Sequence, residues 1–179
     1  MARRLSAILA ADVVNYSKLM SDDEARTLAA LKNHRNSIFD PSVSKFKGRI
    51  FKLMGDGALV EFPSVVDAVE CALSIQKAIA ESSNRYIMLR IGVNLGDVIV
   101  EGEDIYGNGV NVAVRLQQMA EPGGICISGT VFEQVDGKVD YKFADLGTHN
   151  IKNISKPVRV REFFTYSEPN TERIAASVL

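Results

Sequence analysis

Asp12 closes an almost unbroken apolar run from Leu5 to Val14, which delivers a carboxylate near the C-terminal end of what reads as a strand buried on both faces. An unpaired charge there is strongly destabilising, so Asp12 needs a cation, a metal or a helix to cap. Asn15, Tyr16 and Ser17 begin a turn whose free N–H groups suit either a capping carboxylate or a bound anion. A second carboxylate, Asp56, sits at the tip of a hairpin spanning 49–62, where two β-forming runs meet at an Asp-Gly pair suited to positive φ. With regular alternation, Phe51 and Leu53 face one way, while Lys52 and Met54 face the side of Asp56. Asp56 as a mere turn former and Lys52 as an edge-strand charge are the commoner fates of such residues taken singly. Further along, Asn111 and Arg115 lie four residues apart on one helix face. They make either a donor patch for an anion or an exposed face whose arginine bonds a nearby acid.

Together these groups suggest one chemistry. Two strand-end carboxylates, Asp12 and Asp56, can hold two divalent cations about 3.5 to 4 Å apart, the arrangement used for in-line phosphoryl or nucleotidyl transfer. Oxygen ligands favour magnesium or manganese, and the Val13 carbonyl can add to the set. The N–H groups of Asn15, Tyr16 and Ser17 would then receive a triphosphate tail without a glycine-rich phosphate loop.

The elements that must position these residues can be read in order. Ser21-Asp-Asp-Glu24 has a capping-box pattern, and Ala25, Leu28, Ala29, Leu31 and Ile38 continue a helix to Phe39. Asp40-Pro41 ends or bends it, and a shorter helical piece through Val43 and Phe46 reaches Gly48. His34 falls among polar neighbours and receives no role. Pro63 suits the start of an amphipathic helix from Val65 to Ile79, ending near Ser82 to Asn84. Tyr86 to Gly92 and Val98 to Glu101 read as two strands joined at Asn94–Asp97, with Asp97 a turn residue and 104–106 a short loop. A helix follows Gly107 or Asn108, with Val110, Val112, Ala113, Leu116 and Ala120 as its apolar stripe. Pro122-Gly123-Gly124 turns into the strand Ile125–Ser128, then a short helix from Thr130 to Val135. Tyr141–Leu146 and Val158–Tyr166 read as the last strands, with Arg159 and Arg161 solvated. The polar stretch 167–179 reads as a tail or the start of a linker, with a helical turn at Ile174–Leu179 as one option.

At 179 residues and 46% hydrophobic, the chain suits one domain with a sizeable core. Its net charge of −1, with signs interspersed, gives no basis for binding nucleic acid or an anionic membrane. Cys71 and Cys126 fall inside apolar patterns and read as buried thiols in a reduced compartment, with no disulfide or zinc spacing. Asp12 interrupts the apolar N-terminus too early for a signal peptide, and no apolar run reaches about 18 residues. A cytoplasmic protein is expected.

Three motifs, Ala11-Asp-Val-Val-Asn-Tyr-Ser17, Phe51-Lys-Leu-Met-Gly-Asp-Gly57 and Asp104-Ile-Tyr-Gly-Asn-Gly-Val-Asn-Val-Ala-Val-Arg-Leu116, stand in this order. Across roughly residues 5 to 165 the chain thereby resembles the catalytic domain of class III nucleotidyl cyclases, the adenylate and guanylate cyclases. The resemblance implies a ferredoxin-like, palm-type α+β domain over 1–166, with a mainly antiparallel sheet covered by helices. It also implies a homodimer, head to tail, with two shared active sites that convert a nucleoside triphosphate to its 3′,5′-cyclic monophosphate and pyrophosphate. In it Asp12 and Asp56 are metal ligands, Lys52 and Asp104 purine readers, Asn111 orients ribose and Arg115 stabilises the transition state. Asp56 would join Asp12 of its own chain in one site, while Lys52 joins Asp104, Asn111 and Arg115 in the other. Lysine can donate to adenine N1 and Asp104 can accept from the 6-amino group, whereas guanine reverses both, so ATP is expected over GTP.

The chain departs from the pattern in three places. Asn15 replaces a usual glycine, and Asn108 replaces a common acidic residue. Gly124 stands where some members carry a phosphate-binding arginine, so Lys152 or Lys156 would bind the triphosphate tail instead. Domains of this kind often serve as output modules, which points to a regulatory domain in a longer chain. Two other readings remain: a catalytically silent nucleotide-binding module that dimerises to regulate something else, and a palm-type transferase making a dinucleotide.

Overall fold

The computed structural model describes residues 1–163. The expected strand to Tyr166 is described as far as Phe163, and the expected tail at 167–179 lies outside the described residues. Eight strands, β1 (Ala2–Val13), β2 (Arg49–Met54), β3 (Gly57–Phe62), β4 (Leu89–Glu101), β5 (Asp104–Tyr106), β6 (Ile125–Ser128), β7 (Ala144–His149) and β8 (Val158–Phe163), form one sheet. Its order is β2-β3-β1-β4-β6-β8-β7, with β5 paired to the far end of β4, and only β4 and β6 run parallel. This is the α+β architecture expected from the sequence.

The alternation of β1 shows how the core divides. Ala7, Leu9, Ala11 and Val13 pack on one face with α4 (Val65–Glu81), α3 (Asp40–Lys45) and α6 (Gly129–Val135); Ile8 and Ala10 pack on the other against α5 (Asn108–Met119). Asp12 continues the Ile8–Ala10 row. In α4, Val69, Ala72, Ile75 and Ile79 are fully or almost fully buried, each large side chain contributing about 1.5–3 kcal/mol. Cys71 and Cys126 are buried as expected, and desolvation pushes the Cys71 thiol up to about 12.

Several expected boundaries differ. β4 is one strand of 13 residues, so the predicted turn at Asn94–Asp97 is absent. Its glycines serve close approach: a Cβ on Gly92 would lie 2.3 Å from the Gln117 amide nitrogen, and one on Gly96 3.0 Å from Gly109 Cα. The Asn94 amide donates to the Gly109 carbonyl at 3.0 Å, fixing α5 on the strand. Asp97 lies within β4 opposite Leu5 and pairs with Arg3, and 104–106 is strand rather than loop.

The expected capping box is displaced. Tyr16–Asp22 is a helix of its own, α1, and Asp23 caps α2 (Glu24–His34) by accepting from the Arg26 N–H at 3.0 Å. A π-helical turn (Arg35–Phe39) then runs directly into α3, because Pro41, lacking an N–H, fits the first turn of that helix. His34 is not among polar neighbours: it is 7% exposed, 6.3 Å from the Phe39 ring, and burial drops it to about 4. α4 starts at Val65 as expected, with Ser64 as its cap, and β7 starts at Ala144, later than expected. Arg159 pairs with Asp145, while Arg161 stacks 3.7 Å over Phe132, so neither is merely solvated.

Candidate active site

The hairpin departs from regular pairing in two ways. Met54 pairs with Gly57, leaving Gly55 and Asp56 as the loop, and Gly55 takes the positive φ of 57° that the sequence had suggested for Asp-Gly. A β-bulge at Phe51 shifts the register between Ile50 opposite Val60 and Lys52 opposite Leu59. Phe51 and Lys52 therefore share a face instead of alternating, and Phe51 packs with Ile8, Ala10 and Leu59.

At the tip, Asp56 meets Asp12. The Asp12 carboxyl is pushed up to about 7, first by desolvation, then by the hydrogen bond and charge of Asp56. The Val13 N–H and the Arg90 charge oppose this only in part. Asp12 Oδ1 is buried with no hydrogen-bond partner, and α1 has no side-chain cap. Helix capping therefore does not account for Asp12. An orphaned carboxylate oxygen beside a second carboxylate fits a hard divalent cation. Among the described residues no third histidine, cysteine or acid joins the pair. Backbone oxygen such as that of Val13, water and substrate phosphates would complete such a set.

Beyond Val14 the chain turns at Asn15, whose φ of 55° is left-handed. Asparagine tolerates that region, so the departure from glycine keeps the turn. Tyr16 and Ser17 open α1 directly after it. Arg90, which the sequence reading passed over, stands opposite Asp12 across β1 and β4. Its signal was a single cation inside the apolar run Leu89–Val93.

Lys52 is directed elsewhere. Its Nζ lies 5.9 Å from the centroid of the Tyr106 ring, and its charge is one cause, with the Tyr106 hydroxyl and the Ile105 N–H ahead of it, that holds Asp104 below the usual carboxylate range. The Ile105 N–H donates to Asp104 Oδ1 at 2.8 Å. Arg49 ties the β4–β5 hairpin to β2 by donating to the Glu103 carbonyl at 3.0 Å while pairing with Glu61, which also pairs with Arg4. One hairpin thus carries two groups of residues: Asp56 beside Asp12, and Lys52 near Asp104.

Asn111 and Arg115 are both exposed on α5. Arg115 donates to Gln118 Oε1 at 3.3 Å, and among the described residues no ion pair includes it, so the bonded-acid reading fails. Gly124 is tightly surrounded, since a Cβ would lie 3.0 Å from both the Glu121 carbonyl and Glu162 Oε1, and a side chain there would need its neighbours to shift. Lys152 and Lys156 are exposed on the β7–β8 loop. That loop lies toward the Ser128 end of β6, whereas Asp12 is level with the Ile125 end, so neither lysine joins Asp12 within one chain. Among the described residues no helix is long and apolar enough to cross a membrane.

The sequence profile described as the adenylate and guanylate cyclase catalytic domain matches residues 4–166. "Putative adenylate cyclase 3" of Rhizobium meliloti is 49% identical over 163 residues, covering 88% of this chain and 28% of its own length. An adenylate cyclase of Glutamicibacter nicotianae is 32% identical over 115 residues, covering 64% of this chain and 28% of its own. The chain thus spans well under half the length of these two curated relatives. The crystal structure of an adenylate/guanylate cyclase/hydrolase from Silicibacter pomeroyi is 42% identical, with a TM-score of 0.85 over 92% of this chain and 98% of that one. That of the adenylyl cyclase CyaB from P. aeruginosa, at 24% identity and TM-score 0.75 over 90% and 95%, shares the fold. Motifs, sheet order and these likenesses agree: the chain belongs to the family of adenylate and guanylate cyclase catalytic domains.

Proposed function

We propose that this domain is an adenylate cyclase that converts ATP to 3′,5′-cyclic AMP and pyrophosphate as a head-to-tail homodimer with two shared active sites. The observation that carries this reading is the division of labour on one hairpin. Asp56 stands with Asp12, while Lys52 stands by Asp104 on the β5 side. Each group alone is half of a nucleotide site, and a two-fold partner would supply the other half.

In this reading Asp12, Asp56 and the Val13 carbonyl hold two magnesium or manganese ions. Bound there, the ions lower the pKa of the ribose 3′-hydroxyl and offset phosphate charge. The 3′-oxygen attacks the α-phosphorus, forming the new P–O bond as the bond to the pyrophosphate oxygen breaks; the hydroxyl proton leaves to solvent. Arg90, beside the carboxylates, and the N–H groups of Tyr16 and Ser17 after Asn15 bind the anionic tail, with Lys152 or Lys156 reaching it across the dimer. Asn111 orients the ribose, and Arg115 neutralises charge on the pentavalent phosphorus. Lys52 donates to adenine N1 while Asp104 accepts from the 6-amino group, so GTP is rejected. The domain is read as the output unit, spanning 1–166, of a longer cytoplasmic protein whose remaining parts regulate it.

Complementation tests the dimer and the residue roles together. Asp56→Ala and Arg115→Ala should each abolish cyclic AMP formation, and an equimolar mixture should recover about a quarter of wild-type activity. Half the dimers are then mixed, each with one intact site. No recovery refutes the shared sites; no cyclic AMP from wild type with ATP and manganese at any protein concentration favours a silent regulatory module.

A further inference from the structure

Tyr106 lies between the two proposed base readers and is used by neither the fold nor the chemistry described so far. It is 45% exposed at the end of β5, on the same strand face as Asp104 and opposite the buried Ile105. Its hydroxyl lies close enough to the Asp104 carboxylate to be the largest cause holding it below the usual carboxylate range, and its ring stands 5.9 Å from Lys52 Nζ, at the outer reach of a cation–π contact. Among the described residues no ion pair joins Lys52 to Asp104. The ammonium and the carboxylate are therefore held near one another without collapsing into a salt bridge.

We propose that Tyr106 is a positioning residue for purine choice: its hydroxyl orients Asp104 as an acceptor, and its ring keeps Lys52 apart as a donor. This rests on the reading of the site as one that takes ATP. A carboxylate discriminates between the bases only while it is ionised and aimed. Protonated, it becomes a donor and can donate to guanine O6 as readily as, ionised, it accepted from the adenine amine. With Tyr106 donating to one lone pair and Ile105 N–H to another, the remaining acceptor positions are fixed in direction, and the same bonds keep the group below the ordinary carboxylate range. The aromatic spacer does the complementary work on Lys52, which would otherwise close on Asp104 and leave neither group for the base. Discrimination then comes from mispaired polar groups against GTP rather than from extra attraction to ATP.

Tyr106→Phe removes the hydroxyl and keeps the ring; Tyr106→Leu removes both. For each, kcat and KM are measured with ATP and with GTP in manganese, and dissociation constants for both nucleotides are measured by calorimetry in the Arg115→Ala background, where turnover is slowed about 1,000-fold. The ratio of kcat/KM for ATP over GTP, and the matching ratio of dissociation constants, should fall about tenfold in Tyr106→Phe and further in Tyr106→Leu, mainly through KM. An unchanged ratio overturns the proposal. So does an equal fall in kcat for both nucleotides with KM preserved, which marks a merely structural residue. If wild type binds ATP over GTP yet makes no cyclic product, the cyclase reading fails, and the dissociation constants still decide the role of Tyr106.

Discussion

Asp12→Asn should make the metal-free domain more stable while destroying its activity. In the fold the Asp12 carboxyl is pushed up to about 7 from 3.8 by burial and by Asp56. A raised folded value means the stabilising contribution is fully present below about 3.8 and is lost as pH rises through about 7. A shift of this size corresponds to a ceiling of about 4 kcal/mol, but the residue as a whole is only partly buried, so about 1–2 kcal/mol is expected after screening. Asparagine keeps the shape and removes the charge. In EDTA at about pH 8.5 the variant should therefore melt about 3–6 °C above wild type, the gap closing as pH falls below about 6. Manganese should reverse the order, because only wild type gains from ligand binding. A calorimetric or fluorescence melt reads all three comparisons. An Asp12→Asn chain that melts at or below wild type in EDTA at high pH refutes the claim that Asp12 is an uncompensated charge awaiting a cation.

Other perturbations probe the supports of the site. His34, buried and lowered to about 4, has the opposite sign to Asp12: its contribution is intact above about 6.5 and is lost as pH falls toward 4, by up to about 3 kcal/mol. In the Asp12→Asn background, His34→Leu should flatten the urea midpoint between pH 6.5 and 4.5, and an unchanged slope would assign the effect elsewhere. Gly92→Ala forces a Cβ to 2.3 Å from the Gln117 amide nitrogen and 2.4 Å from the Ala113 carbonyl, and should cost about 3 kcal/mol in denaturant unfolding. A cost below about 1 kcal/mol would mean that α5 is not seated on β4 as described. Arg115→Ala should lower kcat about 1,000-fold with little change in nucleotide affinity. Arg49→Ala breaks only exposed contacts and should shift the melt by less than about 4 °C, yet raise KM for ATP severalfold by releasing the β4–β5 hairpin from β2.

Much of the architecture was legible because hydrophobic period and burial coincide. The alternation in β1 and the stripes of α4 and α5 each name a face, and the structure buries those faces. What misled was chemistry with two uses. Asn94, Gly96 and Asp97 have turn composition, but glycine also marks close backbone approach, and here α5 supplies the backbone. Ser21-Asp-Asp-Glu24 contains two candidate caps two residues apart, and the short α1 ahead of Asp23 decided between them. Arg90 went unnoticed because a lone cation in a strand says nothing until the register sets it opposite Asp12. His34 looked polar from its neighbours in sequence, although its neighbours in space include Phe39.

The bulge at Phe51 is the feature that local pattern could not supply, and it determines how the hairpin works. If pairing ran regularly from Met54–Gly57, Lys52 would still oppose Leu59, but Arg49 would fall opposite Phe62 on the other face. One inserted residue sets Arg49 opposite Glu61 instead, which puts Arg49 and Lys52 on the same face of β2, that of Ile8 and Ala10. From that face Arg49 reaches the Glu103 carbonyl and holds β5 against β2, while Lys52 stands 5.9 Å from the Tyr106 ring. The bulge therefore brings the clamp onto the face of the proposed base reader, while the Gly55 turn sends Asp56 toward Asp12. Regular alternation would give the hairpin one functional face; the bulge and the turn together let six residues of strand serve two.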